Sequence, residues 1–352
     1  LHFWLQLFDN SITSARALST ILFCLTVLVT YKLGSYATNS KRVGLFGAFL
    51  VAASPFMHWY GNEARMYGLL ALFTVSSQYL FLKLVKEGPD KKIFLLYTLS
   101  AVLGIYSHYF FAFVLLTQGF YFMLQKNRIT DFGKILRRLI STAVIVGLAI
   151  APWLYYAYTM GSAGNTKPNL TVPSSVDLFN TYSQFLFGFQ SDALNTILVS
   201  LWPLSVLLAF LALQKSKKVS SEILFLVLGA TLPVIGAFAV SFIAQPFFLS
   251  RYLIVSLPAL SIFTSWILST YPKKVRILLQ VGVTILIGIT FVIQALNPSA
   301  PVKENYKEVS EYLNSQTTAQ DTVILSAPFT IYPVEYYYTG KANLTTLPNW
   351  DR

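Results

Sequence analysis

Apolar runs close to the ~20 residues that a helix needs to cross a bilayer follow one another from Leu18 to Leu296. Short charged or turn-forming breaks separate them. Such a chain has few folds open to it, because a bilayer leaves no water for unpaired backbone groups and admits only helices or closed barrels. The runs are continuous and do not alternate, which excludes a barrel. Only 11% of the residues are charged, against about 25% in soluble domains. The fold class is therefore an all-α polytopic membrane protein. Ten helices are expected, at about 18–37, 43–57, 64–85, 93–107, 109–124, 139–160, 196–213, 222–244, 252–269 and 276–296. The second and fourth are short and need flanking residues or a thinned bilayer to span.

The basic residues test that count. Placing the loops alternately puts seventeen lysines and arginines on one side: Lys41, Arg42, Lys83, Lys86, Lys91, Lys92, Lys126, Arg128, Lys134, Arg137, Arg138, Lys215, Lys217, Lys218, Lys273, Lys274 and Arg276. The other side receives four: Arg16, Arg65, Lys167 and Arg251. The first side is then cytoplasmic by the positive-inside rule. The net charge of +12 is a topology signal, and no nucleic-acid partner is expected. The single cysteine, Cys24, lies in an apolar run and can form no intrachain disulfide.

The residues with chemical potential fall on the other, extracytoplasmic side. Glu63-Ala-Arg-Met-Tyr67 is a charged island between two apolar runs, preceded by His58, Trp59 and Tyr60. Ionisable residues at the mouths of membrane helices are functional candidates by default. His108 and Arg251 reach the same level, Arg251 being the only cation between Lys218 and Lys273. Each has a simpler reading. Glu63 can be a helix-start acid favoured by the dipole, with Arg65 as its ion pair. Arg251 and Arg16 can snorkel to lipid headgroups, His108 can be an interfacial histidine, and His58 suits an aromatic belt. In the outer segment 161–195, Val176, Phe179, Tyr182, Phe185, Leu186 and Phe189 recur at helical spacing and predict an interfacial amphipathic helix.

From Pro298 the chain becomes polar. Tyr306, Val309, Tyr312 and Leu313 predict one more amphipathic helix, and Thr322-Val-Ile-Leu-Ser326 a strand. The expected division is a membrane domain over 1–297 and the start of a small α/β extracytoplasmic domain over 298–352. The chain opens on Leu1 and closes at Arg352 soon after that strand, so both ends read as truncated. Asn169-Leu-Thr171 and Asn343-Leu-Thr345 fit the N-glycosylation pattern.

Three stretches together resemble the GT-C membrane glycosyltransferases, in the branch of glycosyltransferase family 39 related to protein O-mannosyltransferases and the lipid A aminoarabinose transferase. They are Leu1-His-Phe-Trp-Leu-Gln-Leu-Phe8 with Ser14-Ala-Arg16-Ala-Leu-Ser19, then Ser54-Pro55 with Glu63-Ala-Arg-Met-Tyr67, and then Leu249-Ser-Arg251-Tyr252-Leu with Leu257-Pro258-Ala259. Tyr106-Ser-His108-Tyr109-Phe110 is a looser fourth. The resemblance implies an enzyme that moves a sugar from a polyprenyl-phosphate donor to an extracytoplasmic lipid, glycan or protein acceptor. It implies catalytic roles for Glu63 and Arg65, and donor contacts from Arg251, Tyr252, His108, Tyr67 and Arg16. Glu63 and His108 could together hold a divalent metal ion. The family's catalytic Asp follows its first helix, upstream of this chain's start. Asp9 stands where the family more often has Gly, so the base role is not placed on it. Membrane lipids are the other expected partners. A transporter or lipid-linked glycan flippase is the competing reading, and such proteins place charges near the bilayer midplane.

Overall fold

The computed structural model describes residues 2–8, 11–159, 170–216, 219–243, 246–296 and 304–347. Asp9, Lys167, Asn169, Lys217 and Lys218 lie outside the described residues. The chain divides into two units, Leu1–Ala300 and Pro301–Arg352.

The first unit is helical throughout. Its elements are α1 (His2–Leu7), α2 (Ile12–Thr38), α3 (Lys41–Ala53), α4 (Pro55–Gly61), α5 (Tyr67–Glu87), α6 (Lys91–Ser107), α7 (Phe111–Leu124), α8 (Phe132–Thr159), α9 (Ser175–Phe187), α10 (Asp192–Ser200), α11 (Trp202–Lys215), α12 (Ser221–Ile243), a 3-10 segment (Ser250–Ser256), α13 (Leu257–Ser269) and α14 (Lys273–Leu296). Each of the ten expected segments contains α-helix among its described residues, with 196–213 divided between α10 and α11 at Leu201. Among the described residues, seven helices are long and apolar enough to cross a membrane, or eight if the bent pair α3–α4 counts as one span. The chain is an integral membrane protein. The expected ten exceed that number by α6 and α7, whose 17 and 14 residues lie at and below the short end of the range for a crossing.

A second correction concerns 43–57, expected as one helix. It breaks at Ser54-Pro55 and turns by 63°. Pro55 has no N–H to continue the ladder and its ring disfavours a helical residue before it. Ser54 is extended, and its Oγ accepts from the Met57 N–H (3.1 Å), capping α4. The same Oγ donates to the Phe185 carbonyl of α9 (2.7 Å).

Among the long helices, α5, α12 and the segment 250–269 are the most buried. A buried polar chain ties three of the helices together. Tyr97 donates to Gln118 Oε1 and Gln118 Nε2 to Ser77 Oγ, each at 2.8 Å. With no water available, such bonds satisfy groups that would otherwise be orphaned. The α2–α3 pair packs through small residues, as membrane helices do. A Cβ on Gly44 would stand 2.7 Å from the Tyr31 carbonyl oxygen and from the Ser35 nitrogen. These are backbone atoms and cannot rotate away. Gly44→Ala should therefore lower stability by roughly 1–3 kcal/mol, read as earlier unfolding in detergent. Unchanged unfolding would show that α2 and α3 separate freely.

The predicted interfacial helix is α9. It starts in a capping box, with Ser174 Oγ facing the Asp177 N–H and the Asp177 carboxylate accepting from the Ser174 N–H (2.7 Å). Its exit is held by α14, where Gln294 Oε1 accepts from the Phe189 N–H (2.7 Å).

The second unit contains α15 (Tyr306–Gln316), β1 (Thr322–Leu325), α16 (Ile331–Tyr337) and β2 (Asn343–Thr346). The strands are parallel, with Thr322 opposite Asn343 and Leu325 opposite Thr346. The α16 crossover makes a βαβ unit, as a parallel pair requires. Asn343-Leu-Thr345, noted as a glycosylation pattern, lies within β2.

Candidate active site

Three chain reversals build the site: the α4–α5 loop, the α6–α7 turn and the 3-10 segment ahead of α13. Each is pinned by local bonds. Ser19 Oγ of α2 donates to the Glu63 carbonyl (2.8 Å), and Thr20 Oγ1 donates to Asn62 Oδ1 (3.3 Å). Arg65 Nε meets Glu63 Oε1 at 3.2 Å, with Arg65 largely exposed and Glu63 mostly covered. A pair so exposed is worth under ~1 kcal/mol, so it orients the two side chains without adding much stability.

His108 caps α6 and is buried. Its Nδ1 accepts from the Phe110 N–H (3.2 Å). Burial, then the positive charge of Arg251, pushes its pKa down to about 4. The imidazole is therefore neutral at pH 7, with its proton on Nε2, since Nδ1 is occupied as an acceptor. The ring stacks on Tyr109 (4.5 Å between centroids) and lies 4.9 Å from the Tyr252 ring. Burial also raises the Tyr109 hydroxyl pKa.

Arg251 places its guanidinium carbon 5.2 Å from the centre of the Tyr252 ring, a cation–π distance. Its Nε is buried and has no hydrogen-bond acceptor. A buried guanidinium N–H without a partner is costly to leave so. The ring series continues from Tyr252 through His108 to Tyr67 (6.5 Å) and on to Tyr60 (4.9 Å). Tyr60 and Tyr67 lie within electrostatic range of Glu63, Arg65 and Arg251 alike.

The structure thus brings Arg251, Tyr252, His108 and Tyr67 into one cluster, with the Glu63–Arg65 loop beside it. It does not bring Arg16 there. Arg16 is exposed on α2, in a groove with Thr13, Thr20 and Cys24, and among the described residues no contact joins it to the cluster. Arg16 lies one turn before Thr20, which bonds Asn62 of the α4–α5 loop, and its own side chain is exposed in the groove with Thr13 and Cys24. His58 lies apart from the cluster. Its Nε2 is 2.8 Å from the Ala52 carbonyl and its ring lies against Phe23 and Phe291.

Among the described residues no group of three His, Cys, Asp or Glu is placed to hold a metal ion. His108 has Nδ1 engaged and a proton on Nε2, and the Glu63 carboxylate is engaged by Arg65. Residues the sequence reading left aside are Tyr60, Tyr109 and Phe110, which wall the cluster. Their signal was present as aromatic residues directly beside each polar candidate.

The His108 environment sets a pH dependence. Between pH 6.5 and about 4 the unfolded chain protonates this imidazole and the folded site does not. Folding stability should be fully present above about pH 6.5 and fall as pH drops through that window. Comparing unfolding temperatures at pH 5 and 7.5 reads it, and His108→Gln should reduce the difference. An equal pH response in the variant would place the titration elsewhere.

Residues 1–156 match the family described as dolichyl-phosphate-mannose-protein mannosyltransferase. No curated protein matches the chain. Among solved structures, the chain is similar to ArnT from Cupriavidus metallidurans in the apo state, with a TM-score of 0.57 and 16% identity. That match covers 86% of this chain and 54% of ArnT. It is also similar to the same protein bound to undecaprenyl phosphate, with a TM-score of 0.59 and 13% identity over 97% of this chain and 74% of that one. The chain spans about half the length of the apo ArnT chain. At these identities the likeness is one of fold.

Proposed function

We propose that this protein transfers a sugar from a polyprenyl-phosphate donor to an acceptor outside the cytoplasm, a reading supported by the match of residues 1–156 to the family described as dolichyl-phosphate-mannose-protein mannosyltransferase. The observation that carries this reading is Arg251, whose buried Nε lacks an acceptor within a wall of aromatic rings. A phosphate oxygen supplies that acceptor, and guanidinium is the side chain best matched to it. The ArnT structure bound to undecaprenyl phosphate supports a lipid phosphate as the ligand class.

In the proposed reaction the acceptor oxygen attacks the anomeric carbon, the bond from that carbon to the phosphate oxygen breaks, and polyprenyl phosphate leaves. The acceptor's proton passes to a carboxylate, and Glu63 supplies one beside the cluster. Arg251 neutralises the charge that grows on the leaving phosphate. The Nε2–H of His108 can donate to a donor oxygen at neutral pH, and Tyr252 and Tyr67 line the approach. Arg65 aligns Glu63.

Transfer by the full chain from a panel of polyprenyl-phosphate sugars, each with an acceptor extract, tests the reading. Turnover of one donor supports it; transport of the intact donor across vesicles without turnover would favour a flippase. The orientation is tested separately. Single cysteines at Ser174 and Ser216 should label from opposite sides, Ser174 from outside. Labelling of both from one side would reverse the placement.

A further inference from the structure

A second polar site, which shares no residue with this cluster, lies where α3, α13 and α14 meet. A cavity of about 970 Å³ opens there. Its wall carries three cations, Arg42, Lys273 and Arg276, and none of them forms an ion pair among the described residues. Two of its hydroxyls are directed to backbone carbonyls, Ser265 to Val43 (2.8 Å) and Ser269 to Trp266 (2.7 Å). The cations are thus left without counter-charges at the starts of α3 (Lys41) and α14 (Lys273). Helix N-termini add positive potential of their own. Next to the charges the cavity is apolar: Leu45, Phe49 and Ile277 are exposed in it, with Trp266 half-buried.

We propose that this cavity binds an anionic glycerophospholipid, with its phosphate headgroup held by Arg42, Lys273 and Arg276 and its acyl chains along Leu45, Phe49 and Ile277. The argument is charge complementarity in a membrane setting. Three cations at one level with no protein counter-charge among the described residues attract an anion, and the exposed apolar wall starting beside them suits chains attached to it. A free phosphate would leave that wall uncovered. Two arginines supply forked donors suited to phosphate oxygens. Basic pockets between membrane helices on the basic-loop side are suited to anionic headgroups. The site uses no residue of the cluster around Arg251, so its occupation is a property separate from transfer.

The test uses the full chain in neutral detergent and reads quenching of Trp266 by phosphatidylglycerol brominated on its chains. Saturable quenching is expected, and Trp266→Phe should remove most of it. Each near-surface cation contributes roughly a factor of five to binding an anionic headgroup. The triple variant Arg42→Gln, Lys273→Gln, Arg276→Gln should therefore bind about a hundredfold more weakly. If the triple variant unfolds, Arg42→Gln alone should weaken binding about fivefold. Lys91→Gln with Lys92→Gln, on the same side but outside the cavity, should leave binding unchanged. Brominated phosphatidylcholine quenching Trp266 at the same concentrations would overturn the proposal. So would unaltered binding in the cation variants, or displacement of the lipid by inorganic phosphate or by a short polyprenyl phosphate at lower concentration than by phosphatidylglycerol.

Discussion

Arg251→Ala should reduce sugar transfer by roughly 10²–10³-fold, the loss typical of removing one donor aimed at developing charge in a site shielded from water. The side chain has the one guanidinium in the aromatic cluster, and its buried Nε has no acceptor. Arg251→Lys keeps the charge but offers a point in place of a planar fork. It also alters the contact with the Tyr252 ring. The Lys variant should therefore fall between wild type and Ala, well below full activity. Because Arg251 lacks a salt bridge among the described residues, the Ala variant should express and unfold normally. Near-normal transfer by a well-folded Ala protein would remove Arg251 from the site.

The second large effect is on stability. Ser54 is fully buried and its one hydroxyl serves two elements, capping α4 and bonding the Phe185 carbonyl of α9. Ser54→Ala loses a cap, worth ~1 kcal/mol, and strands a buried carbonyl, at about 1–3 kcal/mol. A total of about 2–4 kcal/mol is expected. Ser40→Ala removes only the cap of α3 and should cost about 1 kcal/mol. Unfolding in detergent compares the two. Equal losses would mean that the Phe185 carbonyl finds another donor and that α9 is not fastened through Ser54.

Much of the helical architecture was legible because apolar runs long enough to cross a bilayer have one dominant solution. The runs could not show where a helix bends inside such a stretch. Residues 43–57 stay apolar across the break, and only Ser54-Pro55 marks it, while the partner of the Ser54 hydroxyl, the Phe185 carbonyl, lies 131 residues away. The polar candidates were legible by level. Alternating the loops puts Glu63, His108 and Arg251 at one end of the bundle, and the structure places them near one another. Which of them face inward was not legible, as Arg16 shows: its direction depends on where α2 begins and on its partner helices. Tyr252 and Tyr67 were drawn in by the family resemblance, and Tyr109 and Phe110 stood beside His108 in the sequence, but their packing against the Tyr252 ring and against one another depends on the three-dimensional fold. The polar strand Asn343–Thr346 lacks the apolar alternation that reveals strands, and its partner β1 pairs with it only through α16.

The bend between α3 and α4 also bears on how the protein can move. Kinks of this size are often taken for hinges, but this one is latched on both arms. Ser54 is bonded to α9, and His58 reaches back to the Ala52 carbonyl that the break leaves open. The two bonds hold the arms at the bend, and the shorter arm carries Tyr60, whose ring lies 4.9 Å from that of Tyr67. Residues 62–66, which join that arm to α5, are tied in turn to Ser19 and Thr20 of α2, so Glu63 and Arg65 share one short span fixed at both the bend and the second helix.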